Sequence, residues 1–108
     1  MSGYSKKTIT TVQRLLSGKY TILILNELSE GGMKYNQILR DLDITSPTLT
    51  RQLKELEDLG LILRSVCSER PLSVIYSLTE IGQDFLSVIP ALNSWGNHYI
   101  QQSGFPGQ

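Results

Sequence analysis

The order of segments between residues 33 and 79 constrains the fold of this chain more than any other feature. An amphipathic stretch is followed by a turn, a second amphipathic stretch and two strand-like runs. The first stretch predicts a helix from Tyr35 to about Leu42, because its apolar residues share one face. Those residues are Ile38, Leu39 and Leu42. Asp43 and Ile44 are expected to turn the chain toward a second helix.

The second helix has recognisable start and stop signals. Thr45 or Ser46 is expected to cap it, because a hydroxyl there can accept a bond from a free backbone N–H. Pro47 suits the first helical turn, and Gly60 is expected to end the helix. A leucine stripe that should face the core runs between these limits: Leu49, Leu53, Leu56 and Leu59.

The outer face of this second helix is polar and basic. Its residues are Ser46, Thr48, Thr50, Arg51 and Lys54. Short hydroxyl side chains permit close approach, and two cations suit phosphates or guanine edges. These residues, together with Lys34 just before the first helix, are therefore predicted to contact double-stranded DNA.

A predicted β-hairpin follows the second helix directly. Leu61–Cys67 and Val74–Leu78 are strand-like, and Ser68–Ser73 is expected to be the loop between them, because Pro71 cannot sit in a central strand. Arg70 in this loop is predicted to reach the DNA backbone or the adjacent minor groove. Leucine spacing alone would fit any helical hairpin, but a β-hairpin directly after it favours a winged helix-turn-helix, a DNA-binding fold.

Length and composition predict one soluble globular domain over residues 1–108, with a winged-helix core at about 19–82. No apolar run is long enough to cross a bilayer, and no signal peptide is visible. Cys67 is the single cysteine, which excludes an internal disulfide and fits a reducing cytoplasm. We therefore expect a cytoplasmic protein that does not bind membranes.

The net charge of zero argues, at first sight, against nucleic-acid binding. The distribution of charge softens this argument, since residues 1–20 carry four cations and no acid. All ten acids lie elsewhere, among them Glu27, Glu30, Glu55, Glu57 and Asp58. A basic face with an acidic rear is compatible with a binder that avoids loose adhesion to DNA.

Both ends of the chain carry more apolar surface than one small core can absorb. A helix at about 8–17 precedes a predicted buried helix at Tyr20–Leu28, and Thr79 is expected to cap further helix at about 80–102, broken or kinked at Pro90. We predict that the terminal helices join a homodimer. The predicted interface residues are Val12, Leu15, Leu92, Trp95 and Tyr99. The alternative is that both helices fold back onto the domain.

The chain resembles the HxlR-type winged-helix transcriptional regulators, which are related in fold to the MarR group. The likeness runs from about Val12 to Tyr99. It rests on Ser17-Gly18-Lys19-Tyr20, Ile44-Thr45, Leu49-Thr50, Leu53, Leu56-Glu57, Gly60-Leu61, Arg64, Pro71, Val74, Tyr76-Ser77-Leu78-Thr79, Gly82 and Trp95-Gly96. The resemblance implies a dimer that uses its terminal helices and lays one helix of each subunit in a major groove of a pseudo-palindromic operator.

Two departures from that family stand out. Tyr20 replaces the usual tryptophan. Members that sense oxidants usually carry a cysteine just before the first helix, but this chain has Tyr4-Ser5-Lys6-Lys7-Thr8 there. That mode of sensing cannot be carried over.

The sequence shows no grouping of residues that would make an enzyme, a metal site or a cofactor site. Cys67 is either an unreactive cysteine in a strand or a redox-active one. His98 has no Cys, Asp or Glu around it at the spacing of metal ligands. Trp95 and Tyr99 either line a pocket for a small-molecule effector of unknown identity or simply pack in an interface. The prediction is a mainly α, dimeric winged-helix DNA-binding regulator with a small β-hairpin; the alternative is a winged-helix protein-interaction module without DNA binding.

Overall fold

The computed structural model describes residues 3–104, which form helices and one small antiparallel sheet. Two helices precede the sheet: α1 (Lys6–Leu15) and α2 (Thr21–Glu27), the latter extended by a 3-10 turn at Leu28–Glu30. The helix-turn-helix follows as α3 (Tyr35–Leu42) and α4 (Ser46–Asp58). The described chain closes with α5 (Glu80–Phe85), a 3-10 turn at Leu86–Val88 and α6 (Ile89–Ser103).

The sheet contains β1 (Met33–Lys34), β2 (Ile62–Glu69) and β3 (Leu72–Leu78) in the order β1-β3-β2. Its hairpin is longer and tighter than the sequence predicted, because β2 pairs with β3 as far as Glu69 and Leu72. The predicted six-residue loop is therefore wrong, and Arg70 and Pro71 alone make the turn. The ladder has an irregularity between Val66 and Ser68.

One buried apolar cluster joins α2, α3, α4 and the inner end of the sheet. Its residues are Ile24, Leu25, Leu28, Met33, Ile38, Leu49, Leu53, Leu56, Leu61, Ile62 and Leu78. Three of the four leucines in the α4 stripe are buried as predicted, but Leu59 is 47% exposed. Leu59 follows the last residue of α4, next to Gly60 with its positive φ of 77°, so the chain is already leaving the core there.

Two other expectations about burial and helix ends are corrected. We expected α2 to be apolar and buried around most of its girth, yet Leu23 is 51% exposed and Ile22 also reaches the surface. The break between α5 and α6 comes at the 3-10 turn before Pro90, and Pro90 lies in the first turn of α6. α6 ends at Ser103, one residue past the predicted end at about 102, and residues 105–108 lie outside the described part.

The terminal helices are only partly covered by the rest of the chain. Neither α1 nor α6 contains a buried residue. The described chain measures 56 × 32 × 23 Å along its principal axes.

Candidate DNA-binding interface

The α3–α4 turn aims the outer face of α4 away from the core. Asp43 has the left-handed conformation, with φ 52° and ψ 51°, and its N–H donates to the Leu39 carbonyl over 3.1 Å. Aspartate tolerates this conformation better than most residues. Thr45 then takes an extended conformation at the N-cap of α4. With Leu49, Leu53 and Leu56 buried, the opposite face of α4 is left to solvent.

The hydroxyl side chains predicted to contact DNA lie at the start of α4, and one residue missed by the sequence analysis joins them. The Tyr35 hydroxyl, at the start of α3, lies 2.6 Å from Ser46 Oγ and 3.0 Å from Thr50 Oγ1, and donates to the Ser46 carbonyl over 3.1 Å. Thr48 lies apart from this group; its Oγ1 accepts from the Thr45 hydroxyl over 2.8 Å. Tyr35 stands between Lys34 and Asn36 in the sequence, and nothing in that local pattern signals a contact with α4.

The two predicted cations of α4 have different surroundings. Arg51 is exposed and makes no hydrogen bond or ion pair within residues 3–104. Lys54 Nζ pairs with Asp58 Oδ1 one turn later, over 3.2 Å, with both side chains well exposed. An exposed ion pair of this kind contributes about 0–1 kcal/mol, so DNA phosphate can compete for Lys54.

The remaining two predicted DNA contacts lie on the sheet rather than on α4. Lys34 is exposed on β1, opposite Ile75 of β3, and directly precedes Tyr35 in the chain. Arg70 is exposed at the tip of the β2–β3 hairpin. The fold therefore brings the α4 residues together with Lys34 near the start of α3, whereas Arg70 lies at the end of a separate projection.

A buried glutamine holds α4 against the turn between α1 and α2, and the sequence analysis missed it. Gln52 is 6% exposed; its Oε1 accepts from the Tyr20 N–H over 3.3 Å and its Nε2 donates to Glu55 Oε1 over 3.1 Å. A Cβ on Gly18 would come within 2.5 Å of Thr21 Oγ1 and 2.8 Å of Gln52 Oε1, so a larger residue there would have to displace these side chains. The signal was a polar residue inside the leucine stripe, three positions after Leu49.

The remaining titratable and nucleophilic groups form no reactive cluster in the described part of the chain. Cys67 is exposed at the irregularity of β2. No group of three or more His, Cys, Asp or Glu residues within 3–104 could hold a metal ion. Burial raises the pKa of Glu27, and a hydrogen bond to Asp41 and the charge of Asp41 raise it further.

The predicted dimer residues lie on the two terminal helices and are poorly covered. Val12, Trp95 and Tyr99 are exposed, the two rings by 65% and 49%, and Leu92 lies at the surface beside them. Leu15 is half-buried. The Trp95 and Tyr99 rings stack with centroids 5.6 Å apart.

A model of the HxlR-like helix-turn-helix family matches residues 15–104. The chain belongs to this family. An uncharacterised HTH-type transcriptional regulator of Methanothermobacter thermautotrophicus is 41% identical over 85 residues, which are 78% of this chain and 65% of that protein. One of Mycobacterium tuberculosis is 33% identical over 103 residues, which are 95% of this chain and 65% of that protein.

A solved structure has the same fold over almost its whole length. The crystal structure of a putative HTH-type transcriptional regulator, ytcD, superposes with a TM-score of 0.80 at 31% identity and covers 94% of this chain and 99% of that one. The family resemblance and the winged-helix fold predicted from the sequence are thus confirmed. Both curated relatives and this solved structure are named as transcriptional regulators.

This chain spans 65% of the length of the two curated relatives. Within residues 3–104, no helix is long and apolar enough to cross a membrane.

Proposed function

We propose that this protein is a sequence-specific DNA-binding transcriptional regulator that lays α4 in the major groove. The observation that carries the proposal is the outer face of α4, where exposed Arg51 and Lys54 lie beside the hydroxyls of the first turn. Arginine can read guanine with two parallel bonds, and hydroxyls can bond to base edges or phosphates. The relatives named as transcriptional regulators support the same function.

In this proposal Lys34 and Arg70 bind the DNA backbone on either side of the groove that holds α4. Both are exposed, and Arg70 lies at the hairpin tip, where it can extend past the edge of α4. Phosphate contacts fix orientation and add affinity without reading sequence. Residues from about 19 to 82 would form the DNA-reading core.

The proposed regulator acts as a homodimer joined through α1 and α6. A compact domain of this length has a radius of gyration of about 13 Å, but the described chain has 15.8 Å. This excess comes with two terminal helices that bury no residue and expose large apolar side chains. A second copy would cover them, and two recognition helices would then meet two operator half-sites.

Two further parts of the proposal concern the cellular location and a small-molecule effector. An exposed single thiol suits a reducing compartment, so we propose a cytoplasmic location. A small-molecule effector remains a prediction without an assigned site, because Trp95 and Tyr99 stack on each other at the surface.

The decisive experiment is selection of bound duplexes from a random DNA pool, followed by titration of a selected duplex at several salt concentrations. We expect one enriched motif, and an affinity that falls with a logarithmic salt slope of about −0.9 per phosphate contact. The alternative function, a protein-interaction module, draws support from the net charge of zero. It predicts no enriched motif and no binding that responds to salt in this way.

A further inference from the structure

The Tyr35 hydroxyl is bonded to two of the three hydroxyl side chains of α4 that are predicted to contact DNA. It lies 2.6 Å from Ser46 Oγ, 3.0 Å from Thr50 Oγ1 and 3.1 Å from the Ser46 carbonyl oxygen. Ser46 and Thr50 are four residues apart and so share one face of α4. Both are exposed, whereas Tyr35 is half-buried beneath them.

The number of protons available decides how these bonds run. A phenol has one proton and two acceptor lone pairs. The Ser46 carbonyl can only accept, so the Tyr35 proton is donated to it. Either atom could donate in the contacts with Ser46 Oγ and Thr50 Oγ1; with the Tyr35 proton assigned to the carbonyl, each hydroxyl donates to the Tyr35 oxygen. This arrangement uses the proton and both lone pairs of Tyr35.

It follows that the exposed hydroxyls of Ser46 and Thr50 both donate their protons to the Tyr35 oxygen. Only lone pairs of Ser46 Oγ and Thr50 Oγ1 remain for a ligand. They can accept from a donor but cannot donate to a phosphate oxygen, which carries no proton. The cluster is thus poorly suited to the DNA backbone and suited to a donor on a base edge.

We propose that Tyr35 is a specificity-positioning residue that makes Ser46 and Thr50 act as acceptors for amino groups of bases. In the major groove these donors are N6 of adenine and N4 of cytosine, whereas guanine and thymine present keto oxygens as acceptors. The expected recognition is a twofold-degenerate position, adenine or cytosine on the contacted strand. This inference rests on the proposed function and specifies what part of α4 reads.

The test compares the base preferences of wild type, Tyr35→Phe and Tyr76→Phe in the same random duplex pool. Tyr35→Phe keeps the ring and frees both hydroxyl protons. Tyr76→Phe is the matched control, since it also removes a phenol hydroxyl but from β3, where that hydroxyl bonds to nothing within residues 3–104. Thermal unfolding of each variant verifies that the fold is kept.

Wild type and Tyr76→Phe should each select a motif containing an adenine-or-cytosine position. At that position the wild type should prefer amino over keto bases by about two- to tenfold, the value of one hydrogen bond. Tyr35→Phe should accept all four bases there while keeping the rest of the motif. Ser46→Ala and Thr50→Val, made together, should remove the same preference, because they delete the acceptors themselves.

Two results would overturn the inference and leave the proposed function intact. One is a wild-type motif without such a position, and the other is a Tyr35→Phe motif that keeps it unchanged. A uniform loss of affinity in Tyr35→Phe with the same base preference counts as the second result and would make Tyr35 merely structural. If wild type enriches no motif, the proposed function itself fails.

Discussion

At the scale of single residues, the two cations of α4 should contribute unequally to DNA binding. Arg51 has no partner to give up within the described residues, whereas Lys54 must leave Asp58. Arg51→Ala is expected to weaken binding of a selected duplex by about 1–3 kcal/mol if it reads a base edge, and to relax the preference at that base. Lys54→Ala should weaken binding less and equally for all sequences. Titration of matched and mismatched duplexes measures both effects.

The fold of both variants should be unaffected, because both side chains are exposed. Asp58→Asn provides the matched control: it frees Lys54 from its ion pair, so it should raise affinity slightly. Equal affinities for wild type and Arg51→Ala would remove Arg51 from the interface.

The Glu27 carboxyl should make stability depend on pH. Burial, and then Asp41, raise the pKa of Glu27, so the folded state binds this proton more tightly than the unfolded chain does. The resulting stabilisation is complete below the ordinary glutamate pKa and is lost as pH rises through the folded-state pKa. Glu27→Gln abolishes this loss. The Tm of the variant should therefore rise relative to that of wild type as pH rises through the acid range.

Melting curves at a series of acid to neutral pH values test this, with Glu30→Gln as control because Glu30 lies on the adjacent 3-10 turn. Parallel Tm–pH profiles for wild type and Glu27→Gln would contradict the prediction.

At the scale of helices and strands, two threonines that each precede a helix should differ in how much their hydroxyls stabilise the protein. Thr79 Oγ1 accepts from the Gly82 N–H over 3.1 Å and donates to the Gly60 carbonyl over 2.7 Å, so it ties α5 to the end of α4. Thr45 makes no side-chain bond to the backbone of α4, and its hydroxyl bonds to Thr48 instead.

Thr79→Ala is expected to lower the free energy of unfolding by about 1–2 kcal/mol, the usual cost of losing an N-cap. Thr45→Ala should cost about 0.5 kcal/mol or less, since only an exposed bond between two hydroxyls is lost. Denaturant unfolding of both variants gives the two values. A loss in Thr45→Ala as large as that in Thr79→Ala would mean that the hydroxyl of Thr45 caps α4 after all.

The hairpin should contribute affinity without sequence preference. Arg70→Ala is expected to weaken binding of all duplexes alike and to make the salt slope shallower by about one phosphate contact. Arg64→Ala is the matched control, because Arg64 lies on β2, the strand that leads to the turn, about 20 Å from the tip at 3.3 Å per residue. An unchanged slope in Arg70→Ala would show that the hairpin tip does not touch phosphate.

Local sequence signals predicted the elements well where a residue's own chemistry decides the structure. The bounds of α3 follow from its periodicity, and the cap at Thr79 follows from its hydroxyl. The hairpin loop was set too long because Ser68 and Ser73 look like loop residues, yet they pair across the ladder.

Contacts between distant segments could not be predicted in the same way. Periodicity marked Leu59 as apolar and in phase, but not that the core ends before it. It gave no sign that the Tyr35 hydroxyl would meet α4, or that Gln52 would reach the backbone of Tyr20, since these pairs lie 11 to 32 residues apart. The outer face of α4 was predictable, whereas the bonds that orient it were not.

At the scale of the whole molecule, the proposed homodimer gives the terminal helices a role. Half-sites on an operator lie about 34 Å apart, one turn of DNA, so two copies of α4 must be held at a fixed spacing. The exposed apolar side chains on α1 and α6 offer the surface for this, with Val12 on one helix and Leu92, Trp95 and Tyr99 on the other.

Trp95→Asp should break that assembly without unfolding the single chain. Trp95 is 65% exposed in one copy, so a carboxylate there is solvated in the monomer, but in a dimer seam it would be buried without a partner. The variant is expected to sediment as a monomer at micromolar concentration and to lose most of its affinity for a two-half-site duplex. Asn97→Asp is the matched control, because it adds the same charge about 200° around α6 and should stay dimeric. A wild type that sediments as a monomer would refute the dimer, whereas a dimeric Trp95→Asp protein would move the interface to another face.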